Sequence, residues 1–232
     1  MNFQKGARIL VVAAHPDDEV LGCGGTLLKA ISLGAEVMVQ FMGEGVSARF
    51  PYGDYDNEDF INQTRVRTEG ALKALGMLGI REYLFGERLC CQFDKYPILS
   101  LVKDIEQAVT HFRPDIVLTH NPIEVNIDHR ITYEAVEVAC RPARESSPSQ
   151  IYTFEIPCSG SWSFQSAFKP NVFVDISDFW DQKLLAWASY EGESRPFPFP
   201  RSVEGLRTLA QYRGMMSGLR LAEAFRVARM TF

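Results

Sequence analysis

Two short runs in this sequence gather residue types able to do chemistry. The first is His15-Pro16-Asp17-Asp18-Glu19 and the second is Asn126-Ile127-Asp128-His129. Each has an ordinary structural explanation when taken alone. Proline suits a first helical turn, and carboxylates there complement the helix dipole. Asn126 or Asp128 can cap a helix entering at His129. Together the runs say more, because they hold two of only four histidines in the chain. An imidazole nitrogen and a carboxylate oxygen are good zinc ligands. Two histidines and one carboxylate, with a fourth position left to water, make the coordination set of a catalytic metal.

Chemistry then assigns the roles. His15 and Asp18 share one corner and His129 completes a ligand set. A water on such an ion has its pKa lowered to roughly 7 and is a nucleophile at neutral pH. Asp17 adjoins a ligand without having to be one, so it can take the water's proton as general base. Asp128 can orient an imidazole from behind. Glu19, deeper in the helix, reads as a helix-start carboxylate. Zn2+ is the expected ion, although an N,N,O site also takes Fe2+ or Co2+. The residues alone lead to metal-assisted hydrolysis and no further.

These groups need elements to position them. The short apolar run 9–14, rich in β-branched residues, predicts a strand buried on both faces. A helix over about 16–33 follows, stopped by Gly34. A strand at 36–42, a long loop at 43–58, a helix over about 60–75 with Gly76 after it, and a strand near 82–85 come next. Apolar residues from Ile98 to Phe112 sit at helical spacing. A strand at 115–120 and a helix over about 129–140 complete a strand–helix alternation, which argues for an α/β fold with a parallel, doubly wound sheet. Both motifs then lie beyond carboxyl ends of strands, where open parallel sheets bind ligands.

Beyond residue 140 the pattern is less regular, with strand-like pieces near 151–155 and 171–176 and helices over about 178–189 and 204–213. The polar stretch 141–150 could mark a subdomain boundary, and the proline-rich run 195–200 cannot be a helix interior. The expectation is one domain over 1–232, with a core at about 8–140 and an irregular C-terminal elaboration at about 141–232.

Composition narrows the classes. The chain has 232 residues, 46% of them hydrophobic, and a formal net charge of −5, without a Lys/Arg cluster. That excludes a large nucleic-acid footprint, which needs a basic patch. No stretch approaches the ~18 apolar residues of a membrane span. Five scattered cysteines form no CxxC pair, which points to neither a disulfide framework nor a zinc ribbon. The expected location is cytoplasmic.

The run Ala14-His15-Pro16-Asp17-Asp18-Glu19, continuing Leu21-Gly22-Cys23-Gly24-Gly25, strongly resembles the LmbE-like or PIG-L family of zinc-dependent N-acetylglucosaminyl deacetylases. Thr119-His120, Asn126-Ile127-Asp128-His129-Arg130, Leu75-Gly76 and the late Gly214, Gly218, Ala222-Glu223 and Phe225 extend the likeness to nearly the whole chain. The resemblance implies zinc on His15, Asp18 and His129, with Asp17 as base, and a Rossmann-like layer structure. It implies a small-molecule glycoconjugate substrate from which acetate is removed, and assembly into a homo-oligomer. One departure matters: several family members carry histidine two residues before the aspartate of the second motif, where this chain has Asn126. An amide can donate to an oxyanion but cannot act as a general acid. Either Asp17 returns the proton or His120 supplies it, unless His120 is a buried histidine bonded to backbone.

Other residues are weighed in the same way. Gly22-Cys23-Gly24-Gly25 fails the dinucleotide template and fits close helix–sheet packing. Cys23 reads as core, and Cys90-Cys91 as incidental. Arg65 is a candidate for gripping a substrate hydroxyl or phosphate, against a solvated helix face. Trp162, Phe164 and Phe168 are candidates for stacking on a sugar, against core packing or a subunit contact. The segment 43–57 is a candidate rim. Two further readings stay open: an amide hydrolase of another conjugate, and a non-catalytic carbohydrate-binding protein on the same scaffold.

Overall fold

A computed structural model describes residues 1, 3–142, 147–164 and 167–231. Part of the expected boundary stretch 141–150 lies outside the described residues. Seven strands form one sheet: β1 (Arg8–Ala13), β2 (Glu36–Gly43), β3 (Glu82–Arg88), β4 (Ile116–His120), β5 (Gln150–Phe154), β6 (Val172–Asp175) and β7 (Ala222–Met230). Their order is β3-β2-β1-β4-β5-β7-β6. The first five are parallel, while β7 runs antiparallel to both β5 and β6. Six helices are described: α1 (Asp18–Ser32), α2 (Glu58–Leu78), α3 (Ile98–Phe112), α4 (Ile127–Ala139), α5 (Trp180–Ala188) and α6 (Val203–Met215). None is long and apolar enough to cross a membrane.

Alternation along β1 shows why this strand is apolar from Ile9 onward. Ile9, Val11 and Ala13 enter one core, shared with α1, α2, α5 and α6, while Leu10, Val12 and Ala14 enter a second core under α3 and α4. A strand covered on both faces must be hydrophobic at every position. α1 lies close to the sheet, where a Cβ on Gly22 would stand 2.4 Å from Phe154 and one on Gly25 2.8 Å from Ile176. The glycine-rich run therefore serves packing.

Three expectations need correction. Gly76 lies inside α2, and the helix ends instead at Gly79, whose φ of 80° is the left-handed conformation glycine adopts freely. α2 also starts earlier, because Asn57 accepts the Phe60 N–H at 2.8 Å. The C-terminal part is not irregular, since β5, β6 and β7 extend the same sheet. β7 has no counterpart in the sequence reading because charged residues interrupt its apolar pattern. One of them, Glu223, is buried, accepting the N–H groups of Gly25 (2.9 Å) and Thr26 (2.7 Å) and pairing with Lys183 at 2.6 Å.

The strand order reverses at β1, which pairs with β2 on one side and β4 on the other. Such a reversal opens a crevice beyond the carboxyl ends of the two central strands. The first motif follows β1 and the second follows β4, so both face that crevice.

Candidate active site

Local structure explains how each side chain reaches the crevice. β1 ends at Ala13 and α1 begins at Asp18, so 14–17 must turn sharply. Asp17 completes that turn with a φ of 118°, a backbone conformation that costs a non-glycine residue about 1–3 kcal/mol. It is held there because its N–H donates to Glu19 Oε2 at 3.0 Å and its carbonyl accepts from Leu21 N at 3.0 Å. Across the crevice, Asn126 caps α4 by accepting the Asp128 N–H at 2.9 Å, which puts His129 in the first helical turn.

The two motifs meet. His15, Asp18 and His129 bring one ligand atom each within 4.8 Å of one another, all three residues buried. Asp18 Oδ2 stands 3.7 Å from His15 Nδ1 and 3.5 Å from His129 Nε2. The outward nitrogens face carboxylates: His15 Nε2 is 2.8 Å from Asp128 Oδ2, and His129 Nδ1 is 3.5 Å from Glu124 Oε2. A carboxylate hydrogen-bonded behind a ligating imidazole fixes the ring and its tautomer; this holds for His15, while His129 Nδ1 lies near Glu124 without a hydrogen bond. Asp18 Oδ1 is buried without a hydrogen-bond partner. A buried carboxylate oxygen left unpaired is costly, and a cation between Asp18 and the two imidazoles satisfies it. The donor set and this orphaned oxygen fit a divalent metal. His15, Cys90 and Asp128 form a second such grouping, but Asp128 there is already engaged by His15 and by the N–H groups of Cys91 and Phe93.

The electrostatics follow from burial. Burial, helped by the neighbouring Asp17 charge, lifts the Asp18 carboxyl to about 7, and burial lifts Glu19 to about 8 although Tyr190 donates to it at 2.5 Å. For His15, burial works downward, but the Asp128 hydrogen bond and the nearby carboxylates outweigh it and raise the value. Burial and then the neighbouring imidazoles push His129 and His120 well below the ordinary histidine value.

The remaining expected residues fall as follows. Asp17 is buried beside the ligands, its Oδ2 accepting from Arg67 and Arg201, each at 2.9 Å. Asp128 lies behind His15. His120 is a buried, backbone-bonded histidine: its Nε2 accepts the Ala14 N–H at 2.9 Å, and its ring stacks on His129 at 4.0 Å. Arg65 is not in the site. It is exposed on the outer face of α2, paired with Glu69 at 2.6 Å and Asn62 at 2.9 Å. Two residues on, Arg67 is buried between Asp17 and Glu193. Phe168 is buried, while Trp162 and Phe164 line an open groove of about 780 Å³ with Glu124, Val125 and Arg130. The segment 43–57 borders the site through Gly45, where a Cβ would stand 3.0 Å from His15, and through Arg49, which pairs with Glu193 at 2.5 Å.

Glu124, Arg67, Glu193 and Arg201 were missed by the sequence reading. Only Arg67 left a signal. It shares a buried helical stripe with Gly70, Ala71, Ala74 and Leu78.

Comparison with known proteins identifies relatives of this chain. The profile of the PIG-L family, described as GlcNAc-PI de-N-acetylase, matches residues 10–140. The diacetylchitobiose deacetylase of Thermococcus kodakarensis is 30% identical, over 97% of this chain and 84% of that protein. The structure of N,N'-diacetylchitobiose deacetylase from Pyrococcus horikoshii, in complex with an inhibitor, superposes with a TM-score of 0.74 and 25% identity over 95% of this chain and 83% of that one. GalB, the 4-carboxy-2-hydroxymuconate hydratase of Pseudomonas putida KT2440, superposes with a TM-score of 0.77 over 97% of this chain and 98% of that one, but its 20% identity shows a shared fold alone. Over more than half its length by profile, and nearly all of it by likeness to a deacetylase, this chain belongs to the PIG-L family of metal-dependent N-deacetylases.

Proposed function

We propose that this protein hydrolyses the acetamide of an N-acetylated amino sugar, releasing acetate and the free amine, at a zinc ion held by His15, Asp18 and His129. The observation that carries this reading is the convergence of those three ligands beside Asp17 at the strand-order reversal. Zinc bound there supplies Lewis acidity and a water that ionises near neutral pH.

The chain's own residues do the rest. Asp128 holds His15 with one nitrogen aimed inward, and Glu124 stands 3.5 Å behind His129. Asp17 takes the proton of the attacking water. Arg67 and Arg201 both bond its Oδ2, which fixes the carboxylate plane. Asp17 then carries that proton to the departing nitrogen. His120 Nε2, the nitrogen 3.4 Å from Asp18, accepts the Ala14 N–H and so has no proton to give. Asn126 gives its Oδ1 to the cap of α4, so its Nδ2 is the end that donates to a substrate oxygen. The groove bearing half-exposed Trp162 adjoins Glu124 and offers an aromatic face to a sugar ring. The family description and the T. kodakarensis relative, both naming N-acetylated glucosamine compounds, support this substrate class.

Acetate release from a panel of N-acetylglucosaminides, diacetylchitobiose and N-acetylated peptides tests the reading. The zinc-loaded protein releases acetate from the sugars, and Asp17→Asn keeps its metal while turnover falls by about 10²–10⁴. Sugar binding without acetate release favours the binding-protein alternative. Faster release from the peptides favours the other amide hydrolase. Full activity in Asp17→Asn removes the base assignment.

A further inference from the structure

Arg201 comes to the site from a distant part of the chain. It follows the proline-rich run 195–200 and immediately precedes Ser202, whose hydroxyl caps α6 by accepting the Gly205 N–H at 2.9 Å. Gly205 lies so close to that run that a Cβ would stand 2.6 Å from Pro200 O. The packed run and the capped helix form a firm support for one long side chain. Arg201 Nε donates to Pro157 O at 3.2 Å, and Nη1 donates to Asp17 Oδ2 at 2.9 Å and stands 3.8 Å from Glu193 Oε2. The Cys158 thiol also bonds the Arg201 side chain, which is 17% exposed. Arg67, the other partner of Asp17, is sealed in at 7%. The Arg201 charge also acts on Asp18, Glu124 and His129.

A guanidinium is a permanent cation with five donors in a rigid fork. Pro157, Asp17 and Cys158 take three of those five donors, and the remaining N–H groups are left for a ligand. The reaction has a matching demand. As the water oxygen bonds to the acetamide carbon, the carbonyl π pair moves onto its oxygen, and that charge needs a donor until the C–N bond breaks. Asn126 brings only a neutral amide to this task.

We infer that Arg201 is a catalytic residue of the proposed deacetylation. One of its remaining N–H groups donates to the acetamide oxygen and stabilises the charge that develops there, while Nη1 holds Asp17. Arg201 gives up no proton, so protonation of the leaving amine stays with Asp17. The inference rests on the deacetylase reading.

The test compares wild type with Arg201→Gln, Arg201→Lys and Arg201→Ala. It uses kinetics on an N-acetylglucosaminide, zinc content, and calorimetric binding of two ligands: N-acetylglucosamine and the tetrahedral methylphosphonamidate of glucosamine. Loss of an oxyanion donor lowers kcat by about 10²–10³ in the Gln variant. KM stays within about threefold, because the interaction is made in the transition state. Zinc content is unchanged, and added guanidinium partly restores the Ala variant. Binding of the tetrahedral ligand weakens at least about tenfold, while the N-acetylglucosamine affinity stays within about threefold. A Gln variant with kcat within about threefold of wild type overturns the inference, as does a kcat loss matched by zinc loss or a change confined to KM. Should wild type cleave no N-acetylated sugar, the deacetylase reading fails on its own. The tetrahedral ligand then still judges Arg201, and equal binding by wild type and Arg201→Gln refutes its role.

Discussion

Asp128→Asn probes the link between the two motifs. Asp128 is fully buried and serves three donors: its Oδ2 meets His15 Nε2 at 2.8 Å and the Cys91 N–H at 2.5 Å, and its Oδ1 accepts the Phe93 N–H at 3.0 Å. Asparagine keeps the shape but turns one oxygen into an NH2 group. With the amide oxygen toward His15, the NH2 faces the Phe93 N–H. One buried backbone donor is then unpaired, at about 1–3 kcal/mol. For a chain of this size that is a fall in melting temperature of roughly 2–12 °C. The lost charge also weakens the hold on His15, and removing such a support typically costs about 10–100-fold in metal affinity. Expressed as free energy this is about 1.4–2.7 kcal/mol. Chelator competition gives the zinc affinity, and thermal melting of chelator-stripped protein gives the structural cost separately. A zinc affinity within about threefold of wild type, with melting lowered as expected, would refute the idea that Asp128 positions a ligand. A loss beyond about 10³-fold would exceed any supporting role and make Asp128 a ligand itself.

Other consequences are equally direct. Lys183→Met strips Glu223 of its buried partner at 2.6 Å; breaking a buried pair costs about 3–5 kcal/mol, so melting falls by roughly 6–20 °C, and an unchanged melting curve contradicts it. In the metal-free protein, Asp18 at about 7 and Glu19 at about 8 keep protons that the unfolded chain loses. Both values are raised, so these two groups contribute stability that falls as pH rises from about 4 to about 8, while the lowered His120 and His129 act in the opposite sense below about 6.5. Asp18→Asn flattens this slope in chelator-stripped melts, and an identical slope in the variant counts against the assignment. Arg65→Gln leaves activity within about twofold of wild type and stability within about 0.5 kcal/mol, as for other exposed residues; a large loss of activity would return Arg65 to the substrate.

What was legible in the sequence was what physics writes locally. The strand at 9–14 and the helix from Ile98 to Phe112 are bounded almost as expected, since each carries an unbroken apolar run or a helical stripe. The two motifs could be paired because a parallel sheet sends both to the same edge. β7 was hidden because its buried Glu223 serves α1 and Lys183, partners remote in sequence. The sequence reading points to Arg65 rather than Arg67, although the buried stripe of α2 runs through 67, 70, 71, 74 and 78. Reading the helix by its faces finds the inward arginine. Glu124, Glu193 and Arg201 come from loops or segment ends that only the assembled fold brings to Asp17 and His129, and no spacing rule reaches them.

The central claim is that residues from two motifs, linked by a His15–Asp128 contact spanning 113 positions, hold one metal ion. Metal content per chain, measured on protein purified without added metal and again after zinc is supplied, tests it most directly in wild type, Asp18→Ala and His129→Ala. The account predicts close to one zinc per wild-type chain and loss of that zinc in either variant, with folding retained. A wild-type chain that takes no metal even when zinc is supplied, or zinc kept in both variants, would contradict it.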